Sequence, residues 1–155
     1  MELVDIYNED ARDTVRYLTE DRNKIEGIAK GLISRLARVC SAETLADRWA
    51  TKLTIQEDGT SAFIDSPFGH AWAELTLGIE DGKVLGFWNI WKRVVDDEGE
   101  KSSSLAATVR FTSRGLALLG KSDQKGLSVY EGQGSQEDVT AHHVMSAILY
   151  AIGAH

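Results

Sequence analysis

Trp72-Ala73-Glu74-Leu75-Thr76-Leu77-Gly78-Ile79-Glu80-Asp81-Gly82-Lys83-Val84-Leu85-Gly86-Phe87-Trp88-Asn89-Ile90-Trp91 is the stretch that decides the fold. Two long runs rich in aromatic and aliphatic residues flank Asp81-Gly82, the dipeptide that most readily takes the two left-handed positions of a tight hairpin turn. With Asp81 and Gly82 as the loop, Glu80 pairs with Lys83 and every other pair follows. One face then carries Ala73, Leu75, Leu77 and Ile79 against Ile90, Trp88, Gly86 and Val84, an ordinary core face. The other sets Trp72 against Trp91, Glu74 against Asn89 and Thr76 against Phe87. His70 and Arg93 stand at its end. Large aromatics mixed with a carboxylate and an amide resemble a recognition surface more than a core. Glu74 and Asn89 would also be costly on a dry face without partners.

Further turns extend the pattern on both sides. Glu57-Asp58-Gly59-Thr60 separates Leu53–Gln56 from Ser61–Asp65. Ser66-Pro67-Phe68-Gly69 is a second turn, and Asp96-Asp97-Glu98-Gly99-Glu100 closes the strand that follows the long hairpin. Leu105, Ala107, Val109 and Phe111 then alternate with Ala106, Thr108, Arg110 and Thr112, which predicts a fifth strand with those four apolar residues on one face. Leu116–Leu119 and Leu127–Tyr130 predict a short last hairpin. The sheet is expected within residues 51–131, as an antiparallel meander of about five or six strands.

The ends of the chain read as helix. Val4, Tyr7, Ala11, Val15 and Leu18 recur at three- and four-residue intervals, and Ile25, Ile28, Leu32, Leu36 and Val39 continue the rhythm. The polar stretch Glu20-Asp21-Arg22-Asn23 suggests two helices meeting near Asp21–Asn23. Gly27 and Gly31, one turn apart, are expected to let a neighbouring element pack closely. Ser41 is an expected cap for a short helix with Leu45, Trp49 and Leu53 on its buried side. A C-terminal helix is predicted over 135–153, capped by Ser135, with Val144, Ile148 and Ile152 on its apolar face. The reading is therefore α+β: N-terminal helices within 1–50, a central antiparallel meander and a C-terminal helix, in one domain spanning 1–155.

Composition narrows the function classes. Of 155 residues 43% are apolar and 26% charged, which excludes wholesale disorder. The balance of 17 basic against 24 acidic side chains gives a formal charge of −7. That sign speaks against direct nucleic-acid binding, which wants a basic surface. It suits attraction to a basic surface on another protein. Residues 51–100 hold 10 acidic and 4 basic side chains, so the sheet's early turns carry most of the excess. A single cysteine, Cys40, forbids an internal disulfide and suits a reducing compartment. The N-terminal residues lack the basic start and apolar run of a signal peptide, and no uncharged apolar run approaches the ~20 residues of a membrane helix. The expected location is the cytoplasm, with no membrane association.

Several motifs point toward chemistry. Gly115-Leu116-Ala117-Leu118-Leu119-Gly120-Lys121-Ser122 satisfies the phosphate-loop pattern, making Lys121 and Ser122 candidate nucleotide-binding residues. Its apolar interior and the strand-like Leu127–Tyr130 after it favour a strand and a polar turn instead. Asp138 and His142 share a helix face and could chelate a metal, with His70 and Glu74 as more distant ligands, but none forms a metal-binding spacing. Cys40, at the end of an apolar stripe, reads as a buried thiol. No catalytic residue, metal or cofactor is assigned. The carboxylate clusters sit at hairpin tips, where solvent works against acid–base catalysis.

What remains is a non-enzymatic acidic protein that associates stoichiometrically with another protein. Inhibitors, immunity proteins, anti-defence proteins and secretion chaperones share this profile of size and charge. The alternative is a small-molecule or nucleotide-binding domain. The partner-binding candidates are Trp72, Glu74, Phe87, Asn89, Trp91 and Arg93 on the hairpin face, and Asp96, Asp97 and Glu98 in the acidic turn. A homodimer through the same face is a further expectation.

Overall fold

The computed structural model describes residues 9–42, 48–120, 126–131, 133 and 138–155. Among these, three helices flank one seven-stranded sheet. Helix α1 covers Glu9–Arg16, α2 Leu18–Ser41 and α3 Val139–Ala154. The strands are β1 Lys52–Ile55, β2 Ala62–Ser66, β3 Gly69–Glu80, β4 Lys83–Val95, β5 Lys101–Phe111, β6 Leu116–Leu118 and β7 Leu127–Ser128. They lie in chain order, each antiparallel to the next. The α+β layout is as the sequence predicts: β1–β5 are the meander and β6 and β7 the short last hairpin, seven strands where about five or six are expected. No helix among the described residues is long and apolar enough to cross a membrane.

The long hairpin has the predicted register: Trp72 opposes Trp91, Glu74 opposes Asn89, Thr76 opposes Phe87 and Glu80 opposes Lys83. Asp81 and Gly82 have φ of 52° and 73°, the left-handed pair of a type I′ turn. Helices α2 and α3 cover one face only. Ile25, Ala29, Leu32, Ile33 and Leu36 of α2 and Val144, Met145, Ile148 and Ile152 of α3 meet Ile64, Ala73, Trp88, Ile90, Val109 and Phe111 of the sheet. Gly86 sets the depth of this contact, because a Cβ there would come within 2.5 Å of Ile25 Cγ2. Trp88 is fully buried, and its indole N–H donates to Thr60 O at 2.7 Å. Lys92 donates to the carbonyls of Ile152 (2.9 Å) and His155 (3.0 Å), a cation at the negative end of α3. Cys40 is buried, which pushes its thiol up to about 11, so it is a packing residue.

The helical regions depart from expectation in three places. The break between α1 and α2 falls at Tyr17, ahead of the polar stretch. That stretch stays helical, and ion pairs one turn apart, Glu20–Lys24 at 3.2 Å and Arg22–Glu26 at 3.1 Å, support it. Helix α3 begins at Val139, and Asp138 caps it by accepting from the Ala141 amide at 3.1 Å. The expected Ser135 cap lies outside the described residues, as does most of the helix proposed after Ser41.

Gly27 and Gly31 are the third departure. They are exposed, and a Cβ on either would meet nothing within 4 Å, so no close neighbour requires them. Each therefore costs backbone entropy without a packing return. Gly27→Ala and Gly31→Ala are expected to stabilise the fold by about 0.5–1 kcal/mol each. A urea titration in which the double variant unfolds no later than the parent would contradict this.

Candidate functional site

The face of β1–β5 turned away from α2 and α3 is covered by neither of these helices. The registers line up one row across it: Thr54 pairs with Phe63, Phe63 with Trp72, Trp72 with Trp91, and Trp91 with Leu105. Phe63 is 55% exposed and Leu105 43%, while the two tryptophans are half-buried. Four apolar side chains thus stand side by side on the solvent face of the sheet.

Leu105 reaches this row through a β-bulge. Ile90 pairs with Ala107 but Trp91 pairs with Leu105, so Ala106 is the extra residue on β5. Simple alternation puts Leu105 on the covered face with Ala107, Val109 and Phe111, and the bulge overturns that expectation. It turns Leu105, Ser103 and Lys101 to the open face, while Val109 and Phe111 stay buried at 2% and 0%. Neither Gly nor Pro marks the bulge, so alternation alone could not reveal it. Phe63 joins the row through its pairing with Trp72, an inter-strand register that the short run Ser61–Asp65 does not reveal by itself.

Polar groups lie on either side of the row. Toward the β3–β4 turn, Glu74 is exposed, and Asn89 is held by Thr108, whose hydroxyl donates to Asn89 Oδ1 at 2.9 Å. Asn89 Nδ2 in turn reaches Thr76 Oγ1 at 3.4 Å. Phe87 lies further along, over Gly78, where a Cβ would come within 2.7 Å of its ring. Beyond it Arg110, only 7% exposed, donates to Glu80 Oε1 at 2.5 Å and to Gly120 O at 2.7 Å. Phe87 and Asn89 are half-buried, as Trp72 and Trp91 are, while Glu74 is exposed.

Toward the β4–β5 turn, Arg93 and Ser103 oppose each other, and Lys101 follows two residues on. With Phe63, His70 and Trp72 they line a shallow hollow of about 380 Å³. His70 Nδ1 engages Asp65 Oδ1 beside it. The acidic turn beyond is a folded unit: Asp96 Oδ1 accepts from the amides of Glu98 at 3.0 Å and Glu100 at 2.7 Å. Asp96 therefore holds the turn together, while Asp97 and Glu98 are exposed. The turns carrying Asp58 and Asp81 lie at the opposite end of the meander, so the acid does not form one patch.

The phosphate-loop pattern does not adopt a cradle in its described part. Leu116–Leu118 is strand β6, paired with β5 and β7, and its backbone serves the sheet. The Gly120 carbonyl is taken by Arg110. Lys121 and Ser122 lie outside the described residues. Asp138 is held by Arg35, and His142 packs against Trp49 with ring centroids 4.8 Å apart. Among the described residues no three His, Cys, Asp or Glu side chains gather where a metal ion could be held.

Comparison with known proteins returns no match to a family model, a curated protein or a solved structure.

Proposed function

We propose that this chain acts by stoichiometric association with another protein, in the manner of an inhibitor or immunity protein, and that the uncovered face of β1–β5 is its contact surface. The observation that carries the reading is the apolar row Phe63, Trp72, Trp91 and Leu105, which neither α2 nor α3 covers, on a sheet whose other face already has a full core. Four inter-strand steps from β1 to β5 make the whole open face roughly 19 Å wide. The two central strands run 12 and 13 residues. A face of that size suits a standard interface of about 800 Å² per partner. Tryptophans flanked by polar residues are the usual anchors of such surfaces.

The negative charge adds long-range steering toward a partner with a basic surface. Asp97 and Glu98 sit exposed at the edge of the face, where charge governs the encounter more than the final contact. Asp97→Asn with Glu98→Gln, leaving the structural Asp96 in place, is expected to slow association several-fold at low salt and to leave dissociation unchanged. Equal association rates for variant and parent at low ionic strength would remove this part of the reading.

The direct test is affinity capture from cells that express the chain, run in parallel with the Trp72→Ala, Trp91→Ala double variant as bait. A protein retained in a 1:1 complex by the parent and lost by the double variant is the expected result. A partner retained equally by both would place the contact elsewhere.

A further inference from the structure

The hollow beside Trp72 has a chemistry at odds with the chain's net charge of −7. Its lining combines the apolar Phe63 and Trp72 with His70, Arg93, Lys101 and Ser103, and no carboxylate is among the residues that line it. Arg93 and Lys101 make no ion pair or side-chain hydrogen bond among the described residues. Carboxylates are near in sequence but turned to other work. Asp65 is engaged by His70, and Asp96 folds back onto the amides of its own turn.

We propose that this hollow seats a single carboxylate side chain, an Asp or Glu of the protein partner, with a neighbouring apolar residue lying on Phe63 and Trp72. The inference rests on the open face being the partner-binding surface and adds the chemistry of what that surface takes. The guanidinium of Arg93 supplies paired N–H donors, Lys101 a second positive charge, and Ser103, opposite Arg93 on the same face, a hydroxyl. Phe63 and Trp72 offer apolar surface beside the two cations for the neighbouring residue. At about 380 Å³ the hollow is at the small end of the range for ligand sites.

The surrounding acid selects against longer anions. Asp97, Glu98 and Glu100 follow in the adjoining turn, and Glu74 lies across the tryptophan row. A nucleic-acid strand, with a charge at every phosphate, would run from the two cations into these carboxylates. One carboxylate set in a basic surround meets both the central cations and the acidic rim. The pattern therefore favours a protein segment over a single-stranded nucleic acid.

The test is selection from a phage-displayed library of random dodecapeptides on the immobilised full chain. Enriched sequences are expected to carry Asp or Glu beside a large apolar residue. Their retention should fall about tenfold or more on the Arg93→Gln, Lys101→Gln variant, and should fall with added salt. Thermal melts check that this variant is folded, as the exposure of both residues leads one to expect. Enriched sequences without acid, insensitive to that variant but lost on Trp91→Ala, would overturn the carboxylate seat and leave the binding face standing. No enrichment, or enrichment insensitive to all these substitutions, would overturn both. A fluorescein-labelled oligothymidylate is expected to show no change in anisotropy, and binding that disappears in the Arg93→Gln, Lys101→Gln variant would replace the carboxylate with a nucleic acid.

Discussion

Arg35→Met is expected to cost about 3–5 kcal/mol of stability, the usual result of leaving a buried partner charge uncompensated. Arg35 is only 7% exposed. Its guanidinium holds both carboxylate oxygens of Asp138 at 2.6 Å, and it donates to Val129 O and, at 3.0 Å, to Glu131 O. One side chain of α2 thus ties down the cap of α3 and the segment after β7. Arg35→Lys should rescue little, because a single ammonium cannot reproduce the fork. Arg35's hydrogen bonds chiefly hold the Asp138 carboxyl below its ordinary range, helped by the Ala141 amide and the charges of Arg35 and Arg38, while burial pushes the other way. Because the folded value lies below the unfolded one, the stabilisation is complete above the unfolded carboxylate range of about 3.9. It is lost as pH falls from there through the depressed folded value. Urea midpoints should accordingly drop below about pH 5, and less so in Asp138→Asn. Some acid sensitivity will persist, since Asp58 is also lowered, first by its hydrogen bond from the Ser61 hydroxyl. A melting temperature for Arg35→Met within a degree or two of the parent would contradict this account.

The second large effect contrasts two tryptophans on one strand. Trp88 and Trp91 are three residues apart on β4, so they point to opposite faces. Trp88→Ala is expected to cost about 3–5 kcal/mol through the cavity it opens, and it also leaves Thr60 O without its indole donor. Trp91→Ala removes a half-buried ring from a face with no helix over it, and is expected to cost on the order of 1 kcal/mol. The same chemical change therefore separates the two faces of the sheet. Thermal melts of both variants check it, and equal destabilisation by the two would mean that something packs over Trp91.

The hairpin shows why the sequence was readable where it was. Asp81-Gly82 admits one turn type, that turn fixes the register, and period-two alternation then assigns each side chain to a face without tertiary information. The break at Tyr17 was not readable, because Glu20–Asn23 looks like a hinge yet forms one-turn ion pairs that carry the helix through. The bulge at Ala106 was not readable either. An extra residue in a strand has no side-chain signature when small residues occupy it. That omission hid Leu105 and Lys101, half of what makes the open face distinctive. Arg35 was also passed over, although a signal existed: a charged residue next to Leu36 and three after Leu32, inside the apolar stripe of α2. Long-range pairing such as Arg35 with Asp138, 103 residues apart, can be suspected from that position but not assigned.

The measurement that bears most directly on the central claim joins stability and affinity for Trp72→Ala and Trp91→Ala. Melting temperature is read for each, and each is titrated calorimetrically against the captured partner. Both variants are expected to stay folded, to melt within a few degrees of the parent and to bind at least ~2 kcal/mol more weakly, about thirtyfold in Kd. Variants that lose most of their stability, yet bind with unchanged affinity in whatever remains folded, would contradict it.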